Sequence, residues 1–139
     1  MNRSFAVENE ARVRPQSAEL ELHVDAGPGV DEDELERLAR SLRTELLELD
    51  VEAVEPVSAG PAPDDARAIE ALVLGALIVK VGRTSEALTT LVRTVRGWLG
   101  EGDRKVRIEL DGDVLEVSGV STEEQQRLVD AWIESHARA

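Results

Sequence analysis

The sequence predicts an α+β domain with the element order β-α-β-α-α-β-β-α, a small mixed sheet and helices packed mainly on one face. Three observations carry that expectation. Apolar and polar residues alternate strictly from Ala18, leucines recur at three- and four-residue spacing from Leu35, and an Asp111-Gly112 dipeptide separates two further alternating runs. A period of two belongs to a half-buried strand and a period of 3.6 to an amphipathic helix, so the two kinds of element can be told apart by spacing.

Residues 1–17 mix charges with no regular period and contain Pro15, which predicts a flexible N-terminal arm before a single domain over 18–139. Leu20, Leu22 and Val24 alternate with Glu19, Glu21 and His23 in the first strand. After the Gly27-Pro28-Gly29 break, Asp31 stands as an N-cap with Glu34 three residues on, the spacing of a capping box. Leu35, Leu38, Leu42, Leu46 and Leu49 then form the apolar stripe of a helix ending near Asp50. Val51–Val57 is β-branched but holds Pro56, which confines it to a sheet edge or stops it at Glu55. Strand, helix and strand make a right-handed βαβ unit if the two strands lie parallel in one sheet.

Residues 66–81 are apolar on nearly every side and are expected to form a helix capped by Asp64 or Asp65. Leu88, Leu91, Val92, Val95, Trp98 and Leu99 make one face of the next helix, and the two helices pair as an antiparallel hairpin over 66–99. Asp111-Gly112 favours a type I′ turn. The register it implies sets Leu110 against Asp113, Ile108 against Leu115, Val106 against Val117 and Arg107 against Glu116, so that like meets like and opposite charges meet. Ser121 and Glu124 have capping-box spacing before a last helix whose stripe is Leu128, Val129, Trp132 and Ile133.

Composition narrows function by exclusion. The chain has no cysteine, two histidines and a formal charge of −13. Thiolate chemistry and disulfides are ruled out, and the acidic charge repels nucleic acid and anionic lipid at long range. The first residues lack the apolar stretch of a secretory signal, which points to the cytoplasm. His23 falls on the polar side of the first strand and His136 in the last turn of the last helix, and neither lies near a G-x-S-x-G elbow. Asp31–Glu34 resembles the start of a calcium loop, but Glu36 occupies the place of the obligatory glycine. Asp111 and Asp113 are explained by the hairpin turn without a metal. No phosphate-binding glycine motif is present. No catalytic residue, cofactor site or metal site is therefore assigned, and the chain is expected not to be an enzyme.

The over-apolar helix is the feature that suggests a partner. Either it is wedged between the sheet and its neighbour, or part of its surface is buried by a second subunit or a protein partner. A third course has the hairpin 66–99 released into a membrane as an effector, although nine uncharged residues are far short of the roughly 20 that span a bilayer. The candidate partner-binding residues are Leu74, Leu77, Ile78 and Val81 of the apolar run together with Arg93, Arg96 and Trp98, the two arginines belonging to a locally basic stretch that also holds Arg83, Arg104, Lys105 and Arg107. A protein effector or regulator and a homo-oligomer are the expected partners, without nucleic acid and without a standing membrane association.

Several runs carry a family likeness: Glu48-Leu49-Asp50-Val51-Glu52-Ala53-Val54-Glu55-Pro56, Leu74-Gly75-Ala76-Leu77-Ile78-Val79, the Trp98-Leu99 helix end, and Asp111-Gly112-Asp113 through Ser121-Thr122-Glu123-Glu124-Gln125. In these the chain resembles the effector-associated constant component family of bacterial conflict systems. The resemblance implies a non-enzymatic adaptor or regulator that acts beside effectors such as trypsin-like or caspase-like peptidases. It implies no particular binding residue.

Overall fold

The computed structural model describes residues 17–61, 70–100, 104–120 and 122–137, with the backbone alone over 58–61 and 70–74. The expected arm lies outside the described residues except for Ser17. The elements are β1 (Ser17–Asp25), α1 (Glu32–Leu47), β2 (Ala53–Pro61), β3 (Glu70–Gly82), α2 (Ser85–Leu99), β4 (Lys105–Leu110), β5 (Asp113–Ser118) and α3 (Glu123–His136). The fold is α+β, as expected, and the order agrees except at the fourth element, which is a strand. There is one five-stranded sheet, β2-β3-β1-β4-β5, antiparallel at every junction. It replaces the expected four-stranded mixed sheet. β1 and β2 do run the same way, but β3 lies between them. The first six elements thus trace the split βαβ connectivity of ferredoxin-like folds, and β5 with α3 extends the sheet past β4.

The residues read as a helix form β3 because an uninterrupted apolar run does not by itself distinguish a buried helix from a strand flanked on both sides. Leu77, Val79 and Val81 are buried on the helix-covered side. Ile78, half-buried, lies on the other side, opposite Glu21 of β1 and Glu55 of β2. No helix hairpin over 66–99 exists: β3 is followed by α2, and residues 66–69 lie outside the described set. The pairing of β2 with β3 shifts register past Pro56, near Gly75, whose φ is +78°. A Cβ at Gly75 would lie 3.0 Å from Leu35 of α1. Glycine is needed there for both backbone conformation and space.

The core is a single cluster between sheet and helices. Register aligns its rows across strands: Val54, Val79 and Leu20 in one, and Leu77, Leu22, Ile108 and Leu115 in the next. The β4–β5 hairpin has the predicted register at all four pairs, and Asp111 and Gly112 both have positive φ, as a type I′ turn requires. Asp31 caps α1 by accepting from the Glu34 N–H at 2.9 Å, and Thr84 caps α2 in the same way from Ala87. The capping box of α3 is Thr122 with Gln125, one residue beyond the expected pair. Leu128, expected in the buried stripe of α3, is 60% exposed. Among the described residues no helix is long and apolar enough to cross a membrane.

Candidate functional site

The expected binding residues are not gathered on one surface. Leu77 and Val81 are core, which removes them from the outside of this subunit, and Ile78 is on the open face of the sheet. Leu74 lies in β3, with its side chain outside the described set. On α2, Arg93 is exposed, while Arg96 reaches across to β5 and α3: its Nε donates to the Ser118 carbonyl at 3.4 Å and its Nη1 to Gln126 Oε1 at 3.1 Å. Trp98 packs against the core, donates from Nε1 to Ser41 Oγ of α1 at 3.0 Å, and lies beneath the Arg104 guanidinium at 5.5 Å. The basic stretch is likewise dispersed, with Arg83 bound to Asp111, and Lys105 3.9 Å from Glu116.

Two features that sequence reading passed over emerge instead. The first is a clasp at the β4–β5 turn. His136 ends α3 with its side chain only 7% exposed; its Nε2 is 2.9 Å from Asp113 Oδ2 and its Nδ1 is 3.5 Å from Asp111 Oδ2. Arg83, just beyond β3, donates from Nη1 to Asp111 Oδ2 at 2.9 Å and, at 3.4 Å, to the His136 carbonyl. Trp132 stacks at a tilt against the His136 ring, centroids 5.2 Å apart. The Arg83 hydrogen bond holds the Asp111 carboxyl below its ordinary range against the opposing effect of burial, and the charges of Arg83 and His136 act in the same direction as that bond.

Chemically this is a lock. A general base needs a nitrogen within reach of the proton it takes, and both nitrogens of His136 face carboxylates. His136 stands in the last turn of α3, as expected, and its burial there was recoverable: Val129, Trp132, Ile133 and His136 stand at i, i+3, i+4 and i+7, the spacing of one buried face. His23 is paired locally, its Nε2 2.8 Å from Glu21 Oε2. Among the described residues no group of three or more histidine, cysteine, aspartate or glutamate side chains is arranged to hold a metal ion. A cavity of about 350 Å³ between the end of α1 and the start of α2 is lined by residues including Leu49, Val51, Val81 and Leu91 with Asp50 and Glu86, and among the described residues by no basic or histidine side chain.

The second feature is the outer edge of β5, which has no strand beside it among the described residues. In a two-residue hairpin the residues flanking the turn form a hydrogen-bonded pair, so Leu110 and Asp113 bond each other and pairing alternates from there. The peptide groups of Val114, Glu116 and Ser118 consequently point outward. Among the described residues only the Ser118 carbonyl is engaged by a side chain, that of Arg96. Val114 of β5, Val120 just after it and Leu128 of α3 are exposed by 57, 61 and 60%. No protein-family model, curated protein or solved structure matches the chain.

Proposed function

We propose that the chain is a non-enzymatic protein-binding component, an adaptor or regulator that engages an effector such as a peptidase in a bacterial conflict system, in the cytoplasm. The observation that carries the binding role is the open β5 edge, with Val114 exposed in that strand and Val120 and Leu128 exposed in the turn and helix that follow it. An unpaired strand is a template for another chain. The absence of cysteine from the sequence and the burial of His136 with both ring nitrogens facing carboxylates favour binding over catalysis. The conflict-system setting rests on the sequence runs that resemble the effector-associated family.

Self-association through an over-apolar helix loses its premise, since Leu77 and Val81 are satisfied within one subunit. A partner of different sequence is the preferred occupant. The test is selection of displayed random 16-residue peptides on the purified full chain, followed by affinity measurement of the enriched sequences in solution. Enrichment of related sequences that bind in solution is the expected result; failure to enrich any overturns the binding role.

A further inference from the structure

We infer that the β5 edge takes up an extended, basic segment of a partner protein as an added antiparallel strand, with arginine or lysine facing Glu116 and apolar residues over the flank of α3. This deepens the binding role proposed above and rests on it. The outward peptide groups of Val114 and Glu116 offer two N–H donors and two carbonyl acceptors two residues apart, the repeat at which an antiparallel partner presents its own. Arg96 on the Ser118 carbonyl closes the far end of the free edge, which sets the length of the pairing at the stretch from Asp113 to Val117.

Side-chain placement fixes what the partner carries. α2 lies beside α3, and Gln126 faces it through Arg96. Two residues further on, at about 100° of turn per residue, Leu128 stands on the opposite flank of α3. α3 packs beneath β5, so that flank projects past the sheet edge, carrying exposed Leu128 and Glu124. A strand added to β5 alternates its side chains between this flank and the open face of the sheet. Toward the flank it meets Leu128, which favours apolar residues. Toward the open face it meets Val114 and Glu116, both exposed; Glu116 also stands opposite Arg107 and 3.9 Å from Lys105 of β4, and its other side faces the added strand. Opposite charges across a strand pair attract, and like charges repel. The net charge of −13 extends the same preference to long range and disfavours a second copy of this chain as occupant.

The experiment is titration of the ¹⁵N-labelled full chain with two blocked octapeptides, one alternating Val and Arg and one alternating Val and Glu, read by amide shifts. The Val-Arg peptide is expected to shift the amides of Val114, Glu116 and Leu128 saturably, and the Val-Glu peptide to leave them in place at the same concentration. Glu116→Lys, which exchanges a cross-strand attraction for a repulsion, should weaken Val-Arg binding by about three- to tenfold. Val114→Pro removes an outward N–H without touching the bonds to β4, so it should keep a dispersed spectrum and lose the response. Equal shifts by both peptides, no shift by either, or an undiminished response in Val114→Pro overturns the inference. Shifts confined to another surface also overturn it while leaving the binding role standing, whereas failure of the display selection removes that role itself. Concentration-dependent shifts at the β5 edge without peptide, with a dimer mass by light scattering, would place a second copy there and overturn it as well.

Discussion

Replacing Leu77 or Ile78 by lysine distinguishes a strand from a helix over β3 and measures what the sheet is worth. In a helix the two residues would sit about 100° apart on one broad apolar surface and would respond alike. In β3 they face opposite sides. Leu77, 3% exposed, abuts Leu22, whereas half-buried Ile78 lies between Glu21 and Glu55. Removing a buried leucine forfeits about 1.5–3 kcal/mol, and an unpaired charge in its place adds several kcal/mol more. Leu77→Lys therefore costs about 5 kcal/mol or more, from a third to all of the roughly 5–15 kcal/mol that holds a domain of this size. Ile78→Lys gives up partial burial but places a cation between two carboxylates, each such cross-strand pair contributing about 0.2–1 kcal/mol. Its stability should stay within about 1 kcal/mol of the parent, a shift of less than about 1 M in the urea midpoint. Equilibrium urea unfolding followed by far-ultraviolet circular dichroism reads both. Equal losses, or a folded Leu77→Lys beside an unfolded Ile78→Lys, would refute the pairing of β3 with β1 and β2.

Three further outcomes follow from the clasp and from the positive φ of Gly75. His136→Ala removes the bond to Asp113 and the ring packed on Trp132. Asp113 is 64% exposed, so solvent weakens that bond, and the expected loss is about 1–2 kcal/mol in urea unfolding, with no change refuting the clasp. Asp111, held below its ordinary value of 3.8 chiefly by the Arg83 hydrogen bond, contributes stability that is complete above that value and is lost as pH falls through the lowered folded pKa. Asp111→Asn should remove this part of the acid-unfolding dependence below about pH 4, and identical acid limbs in parent and variant would refute it. Gly75→Ala forces a left-handed conformation at φ +78° and a Cβ against Leu35, with an expected cost of about 1–2 kcal/mol and a Tm lower by on the order of 5 °C. An unchanged Tm would show that the backbone there relaxes freely.

Local periodicity carried most of the fold. β1, α1, the edge position of β2, α2, the β4–β5 register and α3 all follow from spacing, caps and one turn dipeptide, because each depends on residues close in sequence. β3 did not, since its burial is set by two neighbours distant in sequence. A signal was nevertheless there: Leu77, Val79 and Val81 alternate with Ile78, Lys80 and Gly82, and a helix would have put Lys80 in its apolar surround. The candidate surface failed with that element. Leu77 and Val81 are apolar because the core needs them, and composition alone does not separate core from interface. The clasp joins Arg83, Asp111, Asp113 and His136 from the end of β3, the β4–β5 hairpin and α3, and only the i+7 spacing of His136 hinted that it turned inward.

The two edges of the sheet are not treated alike, and the difference bears on function. β2 carries Pro56 and Pro61, which cannot donate to a further strand, and shifts register along its length. Arg43 of α1 also donates from Nε to the Val54 carbonyl at 3.0 Å. These are devices by which proteins blunt an edge. β5 has neither proline nor register shift, and its one Arg96 contact lies at its end. Had the split βαβ unit stopped at β4, that strand would be the edge. Its neighbour position is filled by β5, held from beneath by α3 and pinned at the turn by His136 and Arg83. The extension thus carries the open edge outward onto a strand whose flanks, Glu116 above and Leu128 below, differ in chemistry. An edge needed only for closure gains nothing from rigid support; one that receives another strand does, because a pre-ordered template loses less entropy on binding.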